Sequence, residues 1–275
     1  MQAQASMRSA AAGSCRVQPF TSRQVRSLVA QKGHASRYGV RAAAAPTYDL
    51  DPDNASILVC GGGGVALHVT RKLKDMGSWV WQLQRTDVRR SEIEKMMAIV
   101  AKGDALNKEE VQKVFDSIED VDAVVSTIGG TVANPTVDSQ GNINLIEAAV
   151  KKGVKKFILV TSIGCGETKD AAGEKVYEVL KPVLVEKDKA EAVLKSHADK
   201  MTFVIIRPGG LTNDPATGKA VVTSDMSVCG SISREDVASL VIKALFSKKA
   251  DNQVLSAMDP AKMMPNQAAP APFAL

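Results

Sequence analysis

Four consecutive glycines, Gly61 to Gly64, follow the short β-type run Ile57 to Cys60 and open a stretch of helical spacing from Val65 to Met76. Glycines in that place let the chain turn tightly, so that backbone N–H groups and the positive end of a helix face phosphate oxygens. The chemistry this suggests is capture of a dinucleotide pyrophosphate. Four glycines can also make a tight turn that holds nothing, so the cluster alone does not decide. The next apolar run, Trp79 to Leu83, ends in Gln84 and Arg85, with Arg89 and Arg90 behind. An acid there would suit the ribose hydroxyls of NAD(H), whereas a basic residue suits the 2′-phosphate of NADP(H). A solvated basic face reads equally well, since charge runs are usually solvated.

Other reactive side chains show no converging pattern. Cys60, Cys165 and Cys229 have neither C-x-x-C nor metal-ligand spacing, and read as small buried hydrophobes or, in an organelle stroma, as partners in a redox switch. His34, His68 and His197 lie far apart, and no metal site is supported.

The elements that must position the glycines alternate along the chain. Apolar runs at Ala98–Ala101, Asp122–Thr127, Lys156–Thr161 and Thr202–Ile206 are separated by helical stretches at Lys108–Ile118, Asn142–Lys152 and Lys175–Lys195. This is the signature of stacked βαβ units, with strands apolar on both faces as in a parallel sheet covered by helices. Pro182 is expected to start a new helix or kink the old one. Residues 208 to 224 carry several Gly and Pro and read as an excursion. Ser233 heads a capping box closed by Asp236, and Gln253–Ala257 suits a seventh strand. The fold class is α/β, a Rossmann-type three-layer sandwich with a mostly parallel sheet.

Hydrophobic residues at 45% and charged residues at 24% describe a globular chain with a sizeable core. Aromatics at 4% leave that core to aliphatic side chains. No apolar run approaches the roughly 18 residues of a membrane span. The net charge of +5 is concentrated at one end: residues 1–48 hold seven Arg and Lys and no acid. Removing those seven from the chain's 35 Lys and Arg leaves 28 against 30 Asp and Glu, so no general affinity for nucleic acid is implied. The Ser-, Ala- and Arg-rich, acid-free start has the composition of an organelle transit peptide. Its stretch Val40-Arg41-Ala42 looks like the processing sites of algal chloroplast peptides, although a mitochondrial address or an attached basic tail fits the charge as well. The expected organisation is a transit peptide at 1–45, a dinucleotide-binding domain at 46–259 and a disordered tail at 260–275.

The glycine turn, Gly103-Asp104, Ser126 to Gly130, Phe157 to Ser162, and above all Glu186–Glu191 (EKDKAE), Ile206–Leu211 (IRPGGL), Pro215–Gly218 (PATG) and Gly230–Ala238 (GSISREDVA) resemble an atypical short-chain dehydrogenase/reductase. The group is the NmrA-like, NAD(P)H-binding one of plastids and cyanobacteria, and the likeness covers Ile57 to about Ala257. It implies a cofactor site at Gly61, Gly62, Gly63, Gly64 and Val65, with Arg85 as the NADP-selecting cation. Asp104 and Ala105 would lie at the adenine, and Thr127, Ile128 and Gly129 beside the dinucleotide. Lys187 would sit at the nicotinamide ribose, Ser162 in the active-site region, and Pro208, Gly209, Gly210 and Leu211 over the nicotinamide. Two positions depart from the family: Leu67 stands at the third glycine, and Val183 stands where a proton-donating Tyr is expected, four residues before Lys187. A literal Y-x-x-x-K occurs at Tyr177 and Lys181, earlier than the family register. The resemblance implies an NADPH-dependent oxidoreductase acting on a small carbonyl or quinone-like acceptor in the chloroplast stroma or at the thylakoid periphery. The two departures leave open a non-catalytic NADP(H)-binding scaffold, assembly or regulatory factor for a plastid complex.

Overall fold

The computed structural model describes residues 48–275, so the transit peptide expected at 1–45 lies outside the described residues. Runs of Val, Ile and Leu form the strands, and the amphipathic stretches between them form the helices. In chain order these are β1 (Ser56–Cys60), α1 (Gly64–Asp75), β2 (Trp79–Gln84), α2 (Arg90–Lys95), β3 (Ile99–Lys102), α3 (Lys108–Ser117) and β4 (Ala123–Ser126). They continue with α4 (Asn142–Lys152), β5 (Lys156–Val160), α5 (Glu174–Ser196) and β6 (Thr202–Pro208). The chain then forms β7 (Gly210–Thr212), β8 (Val221–Thr223), β9 (Ser231–Ser233), α6 (Arg234–Phe246) and β10 (Gln253–Met258).

Eight strands make one sheet in the order β3-β2-β1-β4-β5-β6-β10-β8. All neighbours are parallel except β8, which runs antiparallel to β10 at the edge. Alternate residues of β1 enter opposite cores: Ile57 and Val59 join the one shared with α1 and α6, and Leu58 and Cys60 the one shared with α3, α4 and α5. The protein is thus a Rossmann-type α/β sandwich, and its strands are apolar on both faces because both faces are covered. The strand order reverses at β1, which lies between β2 and β4. A ligand crevice belongs at the carboxyl ends of those strands. Leu67, at the third-glycine position, is buried in the core that α1 shares with α6.

Three local expectations need revision. Pro182 does not divide its helix, because α5 runs through it. Proline has no N–H to offer the Glu178 carbonyl, but both residues are exposed, and that carbonyl is left to solvent. The stretch 208–224 contains two short strands: β7 pairs with β9, and β8 extends the main sheet. Residues 260–275 lie along the body, with Met264 N donating to Cys229 O (3.0 Å) and Phe273 N to Val222 O (2.7 Å). The sheet edge has backbone groups to satisfy there, and the tail supplies partners.

Candidate functional site

β1 ends at the glycine turn, whose geometry is set by its neighbours. Gly61 has φ +134°, and its carbonyl accepts from Gln82 Nε2 (2.9 Å) and Gln84 Nε2 (2.6 Å). A Cβ on Gly61 would lie 2.6 Å from Thr127 Oγ1, so the end of β4 excludes any side chain there. One on Gly62 would lie 2.8 Å from Gln84 Oε1, whereas Gly63 faces open space. The glycines therefore serve close approach as well as turning. α1 begins with Gly63 as its N-cap and has no acidic residue in its first turn. Among the described residues no acceptor meets the N–H groups of Gly62 and Gly63, as expected of a helix start aimed at an anion.

Above the turn opens a cavity of about 430 Å³ lined by four consecutive strand ends. β1 contributes Gly61 to Gly63, β2 Arg85, β3 Asp104 and Ala105, and β4 Thr127, Ile128 and Gly129. Nine of the residues singled out from the sequence thus meet on one wall. Arg85 has no ion-pair partner among the described residues, whereas Arg89 pairs with Glu92 (2.7 Å) and Arg90 with Asp87 (3.0 Å) and Glu94 (2.9 Å). The basic run divides accordingly into one cation on the cavity and two on a solvated face. Asp104 Oδ1 accepts Leu106 N (3.0 Å), which leaves Oδ2 without a partner among the described residues.

The remaining candidates lie outside that cavity. Gly64 is covered by Arg234, whose Cδ would be 2.9 Å from a Cβ at that position, and Val65 is buried. Lys187 projects from α5 toward the loop after β4, its Nζ 3.3 Å from where a Gly129 Cβ would stand. Its ammonium pairs with Asp138 Oδ1 (2.5 Å). Asp138 is fully buried, and its other oxygen accepts Gly130 N (2.8 Å). It sits in a single π-helical turn, Val137–Gly141, that leads into α4. Ser162 Oγ donates to Ile163 O (2.9 Å) and has no bond to Lys187. Tyr177 precedes Lys187 by ten helical residues, about 15 Å along the axis. Its ring instead faces Lys169, whose Nζ is 5.0 Å from the centroid. Pro208 to Leu211 run between the end of β5 and β9: Ile163 N donates to Pro208 O, and Gly210 N to Gly230 O, both at 2.9 Å.

Beneath this second region lies a buried charge network. Arg207 donates to Glu191 through Nη2 (2.6 Å) and Nε (3.1 Å), and to Glu167 through Nη1 (3.0 Å). Thr161 Oγ1 adds a bond to Glu191 (2.8 Å). Cys165, Asp188 and Glu191 bring ligand-type atoms within 4.8 Å of one another, but Glu191 is engaged by Arg207 and Asp188 by Gly166 N (2.8 Å). Burial, then the nearby Glu191 charge, pushes both the Cys165 thiol and the Asp188 carboxyl up. Burial thus disfavours the thiolate form of Cys165. All three described cysteines are free and buried.

Four of these residues have partners that the sequence did not suggest. Gln82 and Gln84 alternate within a buried strand, where a polar side chain needs a partner, and that is a usable signal. Asp138 lies in the polar stretch Asp138-Ser139-Gln140, which reads as loop. Arg207, inside Ile206–Leu211, gives no hint that its guanidinium is completely buried.

A family model described as NAD(P)H-binding matches residues 61–248, more than half of the chain. A Bacillus subtilis (strain 168) protein, named an uncharacterized sugar epimerase, is 35% identical over 147 residues, covering 52% of this chain and 65% of that protein. An uncharacterized chloroplastic protein of Arabidopsis thaliana is 35% identical over 130 residues, covering 43% and 44%. The matches thus span less than two thirds of either relative. Among solved structures, the anaerobillin reductase ChuY of Escherichia coli O157:H7 superposes with a TM-score of 0.67 at 27% identity, covering 75% of this chain and 98% of that one.

Proposed function

The chain belongs to the NAD(P)H-binding family, within the NmrA-like atypical short-chain dehydrogenases/reductases that its motifs resemble, and on that premise we propose that it is an NADPH-dependent oxidoreductase of the chloroplast. The observation that carries this reading is Arg85, an unpaired cation at the end of β2 on the wall of the glycine-lined cavity. The residues present fit the cofactor. The free N–H groups of Gly62 and Gly63 would take the pyrophosphate, Arg85 the 2′-phosphate, and Asp104 Oδ2 the adenine amine, with Thr127 to Gly129 alongside. Lys187, held by Asp138, would meet the nicotinamide ribose, and Pro208 to Leu211 would cover the ring. A bound nicotinamide supplies the hydride.

Val183 offers no proton at the position where a Tyr would, and the Lys187 ammonium is occupied by Asp138. A simple ketone needs an acid to receive its developing alkoxide. A conjugated, quinone-like acceptor spreads that charge itself and takes its proton from water, so it is the acceptor class we assign. The E. coli neighbour's name, a reductase of anaerobillin, is in keeping with a reductase. The same two features also favour a second reading, a protein that binds NADP(H) without turnover and serves as a plastid assembly or regulatory factor.

Calorimetric titration of residues 46–275 with NADPH and with NADH tests the cofactor reading. Binding of NADPH at least tenfold tighter than NADH is expected, and Arg85→Asp should remove most of that preference. An equal loss for both dinucleotides would mean general damage and would defeat the role given to Arg85. Turnover with a water-soluble quinone separates enzyme from scaffold. For location, the acid-free start and the Arabidopsis relative's chloroplastic name support a transit peptide at 1–45 ahead of a domain at 46–259. A fluorescent reporter fused to residues 1–45 should enter plastids, and a mitochondrial signal would overturn that address. Among the described residues no helix is long and apolar enough to cross a membrane.

A further inference from the structure

Arg234 opens α6 and lies across the start of α1. Its Cδ comes so close to Gly64 that a Cβ there would be 2.9 Å away, so the arginine stem covers this glycine directly. A cation on the first turn of a helix stands at the positive end of the helix dipole, where it is disfavoured unless an anion accompanies it. The acids beside it are employed elsewhere: Glu235 pairs with Lys72 (3.5 Å), and Asp236 accepts from Ser233, Thr217 and Gly218. Among the described residues Arg234 has no ion-pair partner. Its Nη1 donates to a neutral group, Asn213 Oδ1, at 2.8 Å. Of its five guanidinium N–H groups four remain to be used.

We propose that Arg234 is a phosphate ligand of the dinucleotide, closing on the pyrophosphate from the α6 side while the glycine turn holds it from below. Asn213, in the segment after β7, holds the guanidinium through its Oδ1, and the arginine stem lies against Gly64 at the start of α1. This rests on the reading that the dinucleotide lies across Gly61–Gly64, and it adds a second cation to that site with a different task. Arg85 reads the 2′-phosphate at one end, and Arg234 neutralises the diphosphate in the middle.

Arg234→Met keeps the stem that covers Gly64 and removes the charge. The test titrates wild type, Arg234→Met and Arg85→Met with NADPH, with ADP, which carries a diphosphate but no 2′-phosphate, and with adenosine 2′-monophosphate, which carries the reverse. Thermal melting confirms that each variant is folded, and Arg234→Lys, a smaller change, should show a smaller loss. Arg234→Met should weaken NADPH and ADP by about 10- to 100-fold and leave adenosine 2′-monophosphate within twofold. Arg85→Met should show the opposite selectivity. Unchanged NADPH binding to Arg234→Met, or loss of all three ligands by one factor, would overturn the assignment while leaving the cofactor reading intact. Failure of the wild type to bind NADPH would instead defeat the cofactor reading itself.

Discussion

At the glycine-lined half of the cleft, Arg85, Asp104 Oδ2 and the N–H groups of Gly62 and Gly63 have no protein partner among the described residues, whereas in the region of Lys187 the ammonium, Ser162 and Arg207 each have one within the protein. Asp138 holds Lys187, Ile163 O holds Ser162, and Glu191 holds Arg207. Unspent hydrogen-bonding groups on a concave wall are what a ligand needs in order to bind. Fully satisfied networks confer rigidity. The first half thus leaves groups open to a ligand, and the second is braced by bonds within the protein.

The strongest way to break this contrast is to cut the network beneath the rigid half. Glu191→Leu removes the buried partner of the completely buried Arg207, leaves it only the exposed Glu167, and should cost about 3 kcal/mol in urea unfolding. Adding Arg207→Met should recover much of it, since a buried pair replaced by apolar side chains of similar volume is often neutral. NADPH affinity of the folded single variant should stay within twofold. A parallel fall in affinity would show that the two halves are one cooperative unit.

The binding half is sharpened at Gly61. Alanine there must adopt φ +134° with its Cβ 2.6 Å from Thr127 Oγ1, and should cost about 1–3 kcal/mol of stability. Displacement of the turn should also abolish NADPH binding in calorimetry. Retained binding would mean that the turn does not hold the phosphates. Asp138→Asn probes the other side more gently. It leaves Lys187, its side chain 14% exposed, without a counter-charge and should cost about 1–2 kcal/mol. NADPH affinity should fall several-fold while that for adenosine 2′-monophosphate is unchanged if, as proposed, Lys187 meets only the nicotinamide ribose.

These expectations mix what sequence makes legible with what only packing supplies. The glycine cluster after an apolar run, the Arg85 strand end and the Asp104 strand end are local patterns, and all three face one cavity. The strands and helices follow from apolar periodicity in the same way. Residues whose meaning comes from a distant partner escape: Asp138 reads as loop until Lys187, 49 positions on, is placed beside it. Arg207 sits unremarked inside the Ile206–Leu211 motif until Glu191 is placed against it. Pro182 reads as a break because nothing in the sequence says that its helix face is exposed. Val183 is the opposite case, since the absence of a hydroxyl is plain in the sequence, and its consequence depends on Lys187 being occupied.

The smallest effect expected concerns the loop that carries Asn213. Asp236 accepts Thr217 N (2.8 Å), Gly218 N (3.0 Å) and Ser233 Oγ (2.9 Å), and so ties that loop to the start of α6. Burial pushes the carboxyl up, but the Thr217 N–H and the other donors outweigh it and hold its pKa below the usual carboxylate value. A pKa lowered by folding contributes stability that is complete above the unfolded value near pH 4 and is lost as pH falls through the folded one. Asp236→Asn should therefore be less stable than wild type by about 1 kcal/mol at pH 7, and the gap should close below pH 4 in urea titrations. A gap that stays constant from pH 7 to pH 3 would mean that the charge is not what ties the loop. Because Arg234 leans on Asn213, a loosened loop should weaken ADP slightly and leave adenosine 2′-monophosphate untouched. Equal effects on the two nucleotides would place the loop's influence on the adenine half and remove the distinction between the halves at that margin.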